Sequence, residues 1–310
     1  MYKENKIFLI IPAYNEEKLI VDTLSGVPDF VDKIVLIDDG STDKTAEIVG
    51  KIQDNKINLV QHTDNKGIGA AIITGYKIAI SEEADIAVVI GGDNQMDLKE
   101  MSNFLEPIIK GDADYTKGNR FLTPSLKEMP SHRLIGNSML SLLSKLSTGY
   151  WKIFDSNDGY TAISKKALKS VDWDQAWRGY GYNADFLARL NIFNIKVKDI
   201  PRRAIYIRGE RQSQIRVGRY IWKVAPHLTR LFFWRLKEKY ILRDFHPLVL
   251  FYLFGIIILP LGVGIGLFLL WSKIIGGAIA GSTAVLAALL IITGLQFLLF
   301  ALFFDMEANK

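Results

Sequence analysis

The sequence predicts an α/β domain with a mostly parallel sheet, followed by amphipathic helices and a membrane-embedded two-helix hairpin. Three observations carry this. Short β-branched runs alternate with helical patterns over residues 1 to about 200. Two long uncharged stretches, Leu248 to Trp271 and Gly276 to Phe304, close the chain. A basic, aromatic-rich block lies immediately before them.

The runs Ile7–Ile11, Lys33–Ile37, Asn58–Gln61 and Ile86–Ile90 read as buried parallel strands, because both faces of such a sheet are covered and alternation is lost. Glu16–Leu24, Lys44–Gln53 and Ile68–Ile80 read as the intervening helices. Strands alternating with helices imply an open sheet with its working site beyond the carboxyl ends of the strands. Met1 to Asn5 is polar, and the apolar run after it is too short for a signal peptide, so it reads as the first strand. Cysteine is absent, so no disulfide framework can be drawn.

Each C-terminal run exceeds the roughly 20 apolar residues that cross a bilayer as a helix. Soluble cores seldom need two such runs in succession, so a pair of buried core helices is the weaker reading. The short connection around Ser272–Ile274 implies an antiparallel hairpin. Small residues such as Gly276, Gly277, Ala280 and Gly281 suit close helix packing, and a homo-oligomer through the membrane helices is an expectation from them.

Charge is placed unevenly. Residues 201–244 hold 12 Lys or Arg against three acids, while the whole chain is only +5. Residues 214–245 mix these bases with Trp222, Phe232, Phe233, Trp234 and Tyr240. They read as interfacial helices, whose rings suit the headgroup layer and whose cations meet anionic lipid. An ordinary amphipathic surface helix is the plainer alternative. A nucleic-acid patch ranks below both, since the block runs straight into a span. By the positive-inside rule the main domain and both termini are cytoplasmic, in a cell membrane or an ER-type membrane. Three segments result: 1–213, 214–245 and 246–310.

The first expected strand ends in IIPAYNEE (Ile10 to Glu17) and the second in LIDDGSTDKT (Leu36 to Thr45). Paired acids past a strand end suit a nucleotide, whose base and ribose are rich in donors, so Asp38 or Asp39 is a candidate acceptor. Ser41, Thr42 or Asp43 also reads as a helix N-cap, which needs no function. Further along come NKGIG from Asn65, VVIGGDNQMD from Val88, GNRF from Gly118, RLIGN from Arg133, FDSNDGY from Phe154 and GYGYNADFLARL from Gly179.

In this order the motifs resemble glycosyltransferase family 2, of the GT-A (Rossmann-like) fold. They are closest to its dolichyl-phosphate mannose and glucose synthases and bacterial polyprenyl-phosphate relatives. The resemblance implies inverting transfer of a hexosyl group from a nucleotide-diphosphate sugar, GDP-mannose or UDP-glucose in type, to a polyprenyl or dolichyl phosphate. It places Pro12, Tyr14, Glu16, Asp38, Asp39, Lys66, Gly67, Asp93 and Arg120 around the nucleotide sugar. Arg133, Asn137 and Arg203 fall to the acceptor phosphate, and Asp93, Arg120, Arg133 and Asp158 to catalysis. A divalent cation, Mg²⁺ or Mn²⁺, is implied on Asp93 and Gln95. The first acid of the family's metal motif is Gly91 here. Mg²⁺ takes one or two protein carboxylates plus phosphate and water, which leaves Asp93 and Gln95 sufficient. Arg202, Arg208 and Arg211 are further cations near the membrane that could meet an acceptor phosphate, and Asp155 a further acid near the acceptor; His132, His227 and His246 show no metal-ligand spacing and read as structural, and His62 is unassigned.

Two competing readings remain. One is a transferase for another lipid or a polymer, although the Gln-x-x-Arg-Trp signature of processive synthases is missing: Gln175-Ala176-Trp177-Arg178 has the wrong order and spacing. The other is a non-catalytic binding module of the same fold, motivated by Gly91.

Overall fold

The structure, a computed structural model, describes residues 1–122, 131–155, 157–179, 181–203, 205 and 217–309, without the side chains of 131–137 and 217–223. It divides into two compact units, Met1–Phe233 and Trp234–Lys310.

In the first unit, β1 (Ile7–Ala13), β2 (Lys33–Asp38), β3 (Ile57–Gln61) and β4 (Ile86–Val89) form the parallel half of a seven-stranded sheet. β5 (Tyr115–Asn119), β6 (Thr161–Ser164) and β7 (Val197–Pro201) complete it in the order β3-β2-β1-β4-β6-β5-β7. Only β6 runs antiparallel to its neighbours. Residues of β1 alternate between two cores: Phe8 and Ile10 face one, Ile7, Leu9 and Ile11 the other. Helices cover both faces, which is why β1 reads as an unbroken apolar run.

The helices of this unit are α1 (Ile20–Ser25), α2 (Thr45–Gly50), α3 (Ile68–Ser81), α4 (Met101–Ile109), α5 (Ser131–Thr148), α6 (Lys165–Ser170) and α7 (Tyr182–Ile192). α3 presses on β1 at Gly75, where a Cβ would lie 2.4 Å from Ile10 Cγ2. α1 starts later than its apolar pattern suggests. The N–H groups of Asn15, Glu16 and Glu17 donate instead to Ser41 Oγ, Thr45 Oγ1 and Asp43 Oδ2 at 2.8–3.1 Å. Side chains expected to cap α2 thus brace the loop after β1, although Asp43 Oδ1 also accepts from the Thr45 N–H.

The unit boundary falls inside α8 (Val217–Lys237). One stripe of that helix, Val224, Leu228 and Leu231, is buried, while Phe233 is exposed. The second unit begins there and continues through a π-helix (Glu238–Arg243) to α9 (Leu248–Ile274) and α10 (Gly281–Glu307). The last two form an antiparallel hairpin and are long and apolar enough to cross a membrane. Only 11% and 17% of their most apolar windows are buried, unlike the mostly buried core helix of a soluble protein. α10 starts later than the uncharged run, because Gly276 turns the chain at φ +79. Gly276, Gly277 and Ala280 therefore lie in the connection, and the tight contacts between the two helices occur elsewhere. A Cβ on Gly255 would lie 2.6 Å from Leu298, and one on Gly294 2.5 Å from the Leu259 backbone. Near the end of α10, Arg235 and Asp305 form a fully buried bidentate pair at 2.8 and 2.9 Å, joined by the Tyr240 hydroxyl at 2.8 Å.

Candidate functional site

Register brings the carboxyl ends of β1 and β2 level, with Ala13 opposite Asp38, and the Asp39 N–H donates to the Ala13 carbonyl at 2.9 Å. The end of β4 lies on the other side of β1. Between these ends opens a cavity of about 460 Å³. Pro12, Tyr14, Glu16, Asp39, Gly67 and Asp93 line it, with Asn65, Gly91, Gly92 and Gly179. Six of the expected nucleotide-site residues thus meet at one opening, where an open α/β sheet binds its ligand.

Asp39 organises this cavity. Its carboxylate accepts the N–H groups of Lys66 at 3.0 Å and Gly67 at 2.8 Å, and His62 Nδ1 lies 2.7 Å from it. His62, which the sequence left unassigned, is fixed from behind by Thr74 Oγ1 at 3.0 Å. The carboxylate therefore holds the chain entering α3 in place. Gly67 has φ +92, and a Cβ there would lie 2.9 Å from the Arg178 carbonyl oxygen. The 177–179 loop crosses at this point, and its Gly179 completes the cavity wall. That loop is tethered by the Trp177 N–H, which donates to buried Asp185 at 2.9 Å. Asp38 lies behind the cavity, buried, with Oδ1 accepting from the Ser41 N–H at 3.3 Å. The Lys66 side chain points to solvent.

Asp93 lines the cavity floor, and burial raises its pKa against the opposing influence of Arg202. Its Oδ1 accepts from the Gln95 N–H at 3.3 Å. A Cβ on Gly91 would lie 2.9 Å from that same oxygen, so the carboxylate occupies the space that a side chain at position 91 would need. Asp97, two residues beyond Gln95, caps a short 3₁₀ helix by accepting from the Lys99 N–H at 3.0 Å. Among the described residues no three His, Cys, Asp or Glu groups cluster as a metal site. A partly desolvated carboxylate in a glycine-walled cavity nonetheless suits a hard cation that draws its other ligands from a diphosphate and water.

Arg120 and Asp158 sit apart from the cavity lining, in a charged cluster at the ends of β5 and β7. Asp155 grips Arg120 through Nε at 2.7 Å and Nη2 at 3.0 Å. Asp158 lies 3.2 Å from Arg120 Nε and 2.7 Å from Arg202 Nε. Burial opposes the charge of Asp155, but Arg120 holds its carboxyl below the usual range. Lys117 Nζ donates to the Asp158 carbonyl and to Asn183 Oδ1, and burial pushes its pKa down to about 8. Lys117 pairs in register with Asp199 across β5 and β7. Burial raises the Asp199 pKa, and its Oδ1 finds no hydrogen-bond donor among the described residues. Sequence reading took Arg202 only as a cation near the membrane, and it missed Lys117 and Asp199. Their signal was charge inside the short segments YTKGN and VKDIP, which only a strand assignment makes anomalous.

Arg203 is exposed, with its N–H 3.3 Å from a Glu100 carboxylate oxygen. The side chains of His132, Arg133, Asn137 and Trp222, and all of Arg208 and Arg211, lie outside the described residues.

The profile of Glycosyl transferase family 2 matches residues 8–172. A UDP-N-acetylglucosamine–dolichyl-phosphate N-acetylglucosaminyltransferase of Methanococcus voltae is 33% identical over 216 residues, covering 64% of this chain and 86% of the relative. An undecaprenyl-phosphate mannosyltransferase of Micrococcus luteus is 24% identical over 231 residues, covering 73% and 93%. In three dimensions the chain is similar to glucosyl-3-phosphoglycerate synthase of Mycobacterium tuberculosis, solved with Mn²⁺, UDP and glucosyl-3-phosphoglycerate. The TM-score is 0.50 at 19% identity, over 76% of this chain and 80% of that one.

Proposed function

The chain belongs to glycosyltransferase family 2, and from that premise we propose that it transfers a hexosyl group, plain or 2-acetamido, from a nucleotide-diphosphate sugar to a polyprenyl or dolichyl phosphate. It is a glycosyltransferase of the GT-A type. The acceptor is inferred from the relatives, which are named for lipid-phosphate acceptors while their sugars differ. The observation that carries the reading is the occurrence, in one chain, of the Asp39–Gly67–Asp93 cavity and two helices of membrane-crossing length.

The chemistry suits these residues. A phosphate monoester has a second pKa near about 6, so the acceptor is largely dianionic at neutral pH and needs no strong general base. Its oxygen attacks the anomeric carbon, the bond to the donor diphosphate breaks, and the configuration inverts. Asp39, Tyr14, Glu16 and the Gly67 backbone hold and orient the nucleotide. Asp93 and Gln95 would hold a divalent cation, which when bound would supply positive charge to offset the negative charge developing on the leaving group. Arg120, steadied by Asp155, adds a guanidinium on the donor side. Arg133, Asn137 and Arg203 receive the acceptor phosphate. Asp158, closed between the Arg120 and Arg202 guanidinium groups, keeps those two in place.

The hairpin anchors the enzyme where its acceptor is. Drawing a polyprenyl chain out of lipid costs about 0.8 kcal/mol per CH₂, so the site must come to the membrane. The basic block before α9 supports, by the positive-inside rule, a cytoplasmic catalytic unit.

The test offers labelled nucleotide sugars to the full chain in detergent and lipid, with and without polyprenyl phosphate, Mn²⁺ and EDTA. Lipid-dependent, EDTA-sensitive label in the organic phase is expected from one donor, and loss of it in Asp93→Ala with the fold intact. Nucleotide binding without transfer to any lipid phosphate would instead favour another acceptor or a non-catalytic module.

A further inference from the structure

Of the adjacent arginines that follow β7, the buried one turns towards the metal motif. Arg202 is 4% exposed, and its guanidinium joins two elements. Nε lies 2.7 Å from Asp158 Oδ2, and Nη1 donates to the Gln95 carbonyl at 3.3 Å. The same carbonyl accepts the Ile205 N–H at 3.3 Å, so one short segment after β7 holds the Asp93–Gln95 loop from two points. Asp158 is itself fixed, since its Oδ1 accepts from the Tyr160 N–H at 2.8 Å. Space for the bridge comes from Gly118 on β5. A Cβ there would lie 2.5 Å from Asp158 Oδ1 and 3.0 Å from Arg202 Cδ.

A buried guanidinium needs a partner, and Asp158 alone would neutralise it. Its further bond to a main-chain carbonyl does something else: it sets the position of the loop. With Gly91 in place of an acid, that loop offers a cation a single carboxylate from its first three residues, Gly91–Asp93. Its affinity then depends on how well the loop is held, because supporting hydrogen bonds orient metal ligands. We propose that Arg202 is a positioning residue, holding the Asp93–Gln95 loop in the form that takes the divalent cation. This rests on the metal reading given above.

The test is Arg202→Lys in the full chain. Lysine keeps the charge beside Asp158 but lacks the planar fork that reaches two acceptors. Mn²⁺ binding is followed by EPR with UDP or GDP present, beside metal-free nucleotide binding by calorimetry and the thermal midpoint. The expected result is Mn²⁺ affinity lowered by about 10–100-fold, with metal-free nucleotide affinity at the wild-type level. Mn²⁺ affinity within about twofold of wild type would overturn the assignment, as would an equal loss in both affinities, since neither matches the loss expected from an oriented ligand shell. Should Arg202→Lys not fold, Gly118→Ala displaces the bridge without removing charge, and the same two outcomes apply to it. A wild-type protein that takes up no Mn²⁺ beside the nucleotide would overturn the metal reading first, and Arg202's role with it.

Discussion

Replacing Gly67 with alanine tests whether the Asp39 cavity holds the nucleotide. Gly67 sits at φ +92 and ψ 153, a region open essentially to glycine alone. Forcing alanine into it costs about 1–3 kcal/mol. The new Cβ would also stand 2.9 Å from the Arg178 carbonyl oxygen. That oxygen cannot easily retreat, because Trp177 is tied to Asp185 at 2.9 Å. The chain at 66–67 must therefore move, at the expense of the 2.8 Å bond from the Gly67 N–H to Asp39. A hydrogen bond to a charged group contributes about 1.5–3 kcal/mol. If about half of the combined cost appears in the bound state, affinity for UDP or GDP falls by about 10–100-fold, at about 1.4 kcal/mol per decade. Calorimetry in metal-free buffer measures this directly. Gly111→Ala is the control: φ is +76 but nothing lies within 4 Å of its Cβ, so strain acts there without a collision. It should lower stability by about 1–2 kcal/mol and leave nucleotide affinity unchanged. If Gly67→Ala behaves like this control, losing stability but not affinity, the Asp39–Gly67 contact does not form the nucleotide site.

Two other perturbations probe buried charge. Lys117 has a folded pKa of about 8 against 10.5 for an ordinary lysine, so the folded state gives up that proton first. Stability from this group is complete above the unfolded value and is lost as pH falls through about 8. Between pH 7 and 9.5 the wild type should gain about 2 kcal/mol relative to Lys117→Met, read from unfolding midpoints at each pH; a constant difference would refute it. In the second unit, Arg235→Met leaves Asp305 buried and unpaired and should cost about 3–5 kcal/mol, whereas adding Asp305→Leu should recover at least half. Additive thermal midpoints would show that the pair is not coupled.

The parallel half of the sheet was legible because strands buried on both faces must be apolar throughout, as in β1 and β2. The other half was not: β5, YTKGN, hides lysine and asparagine in its interior and resembles a turn until Asp199 is placed beside it. In the site, Asp39 was visible because it lies just past a strand end, whereas Gly67 and Asp93 came from the resemblance of NKGIG and VVIGGDNQMD to the family's motifs. The two arginines after β7 could not be told apart by type. Strand alternation separates them, with Ile200 and Arg202 inside and Pro201 and Arg203 outside, but only once β7 is known to end at Pro201. The start of α1 was misjudged because its first polar residues bond to a loop some 26–29 positions away, which no local pattern records.

The hairpin's glycines carry a mechanical consequence. Gly255, Gly262 and Gly294 bring the two backbones into contact at three successive levels, each facing a bulky residue or main chain of the other helix. Sliding α10 along α9 by one turn, about 5.4 Å, would take Gly294 away from Leu259 and bring Leu290 or Leu298 against that backbone. The pair therefore has a single vertical register, like a key in its slot. Lipid of a different thickness has to be met by tilting both helices together.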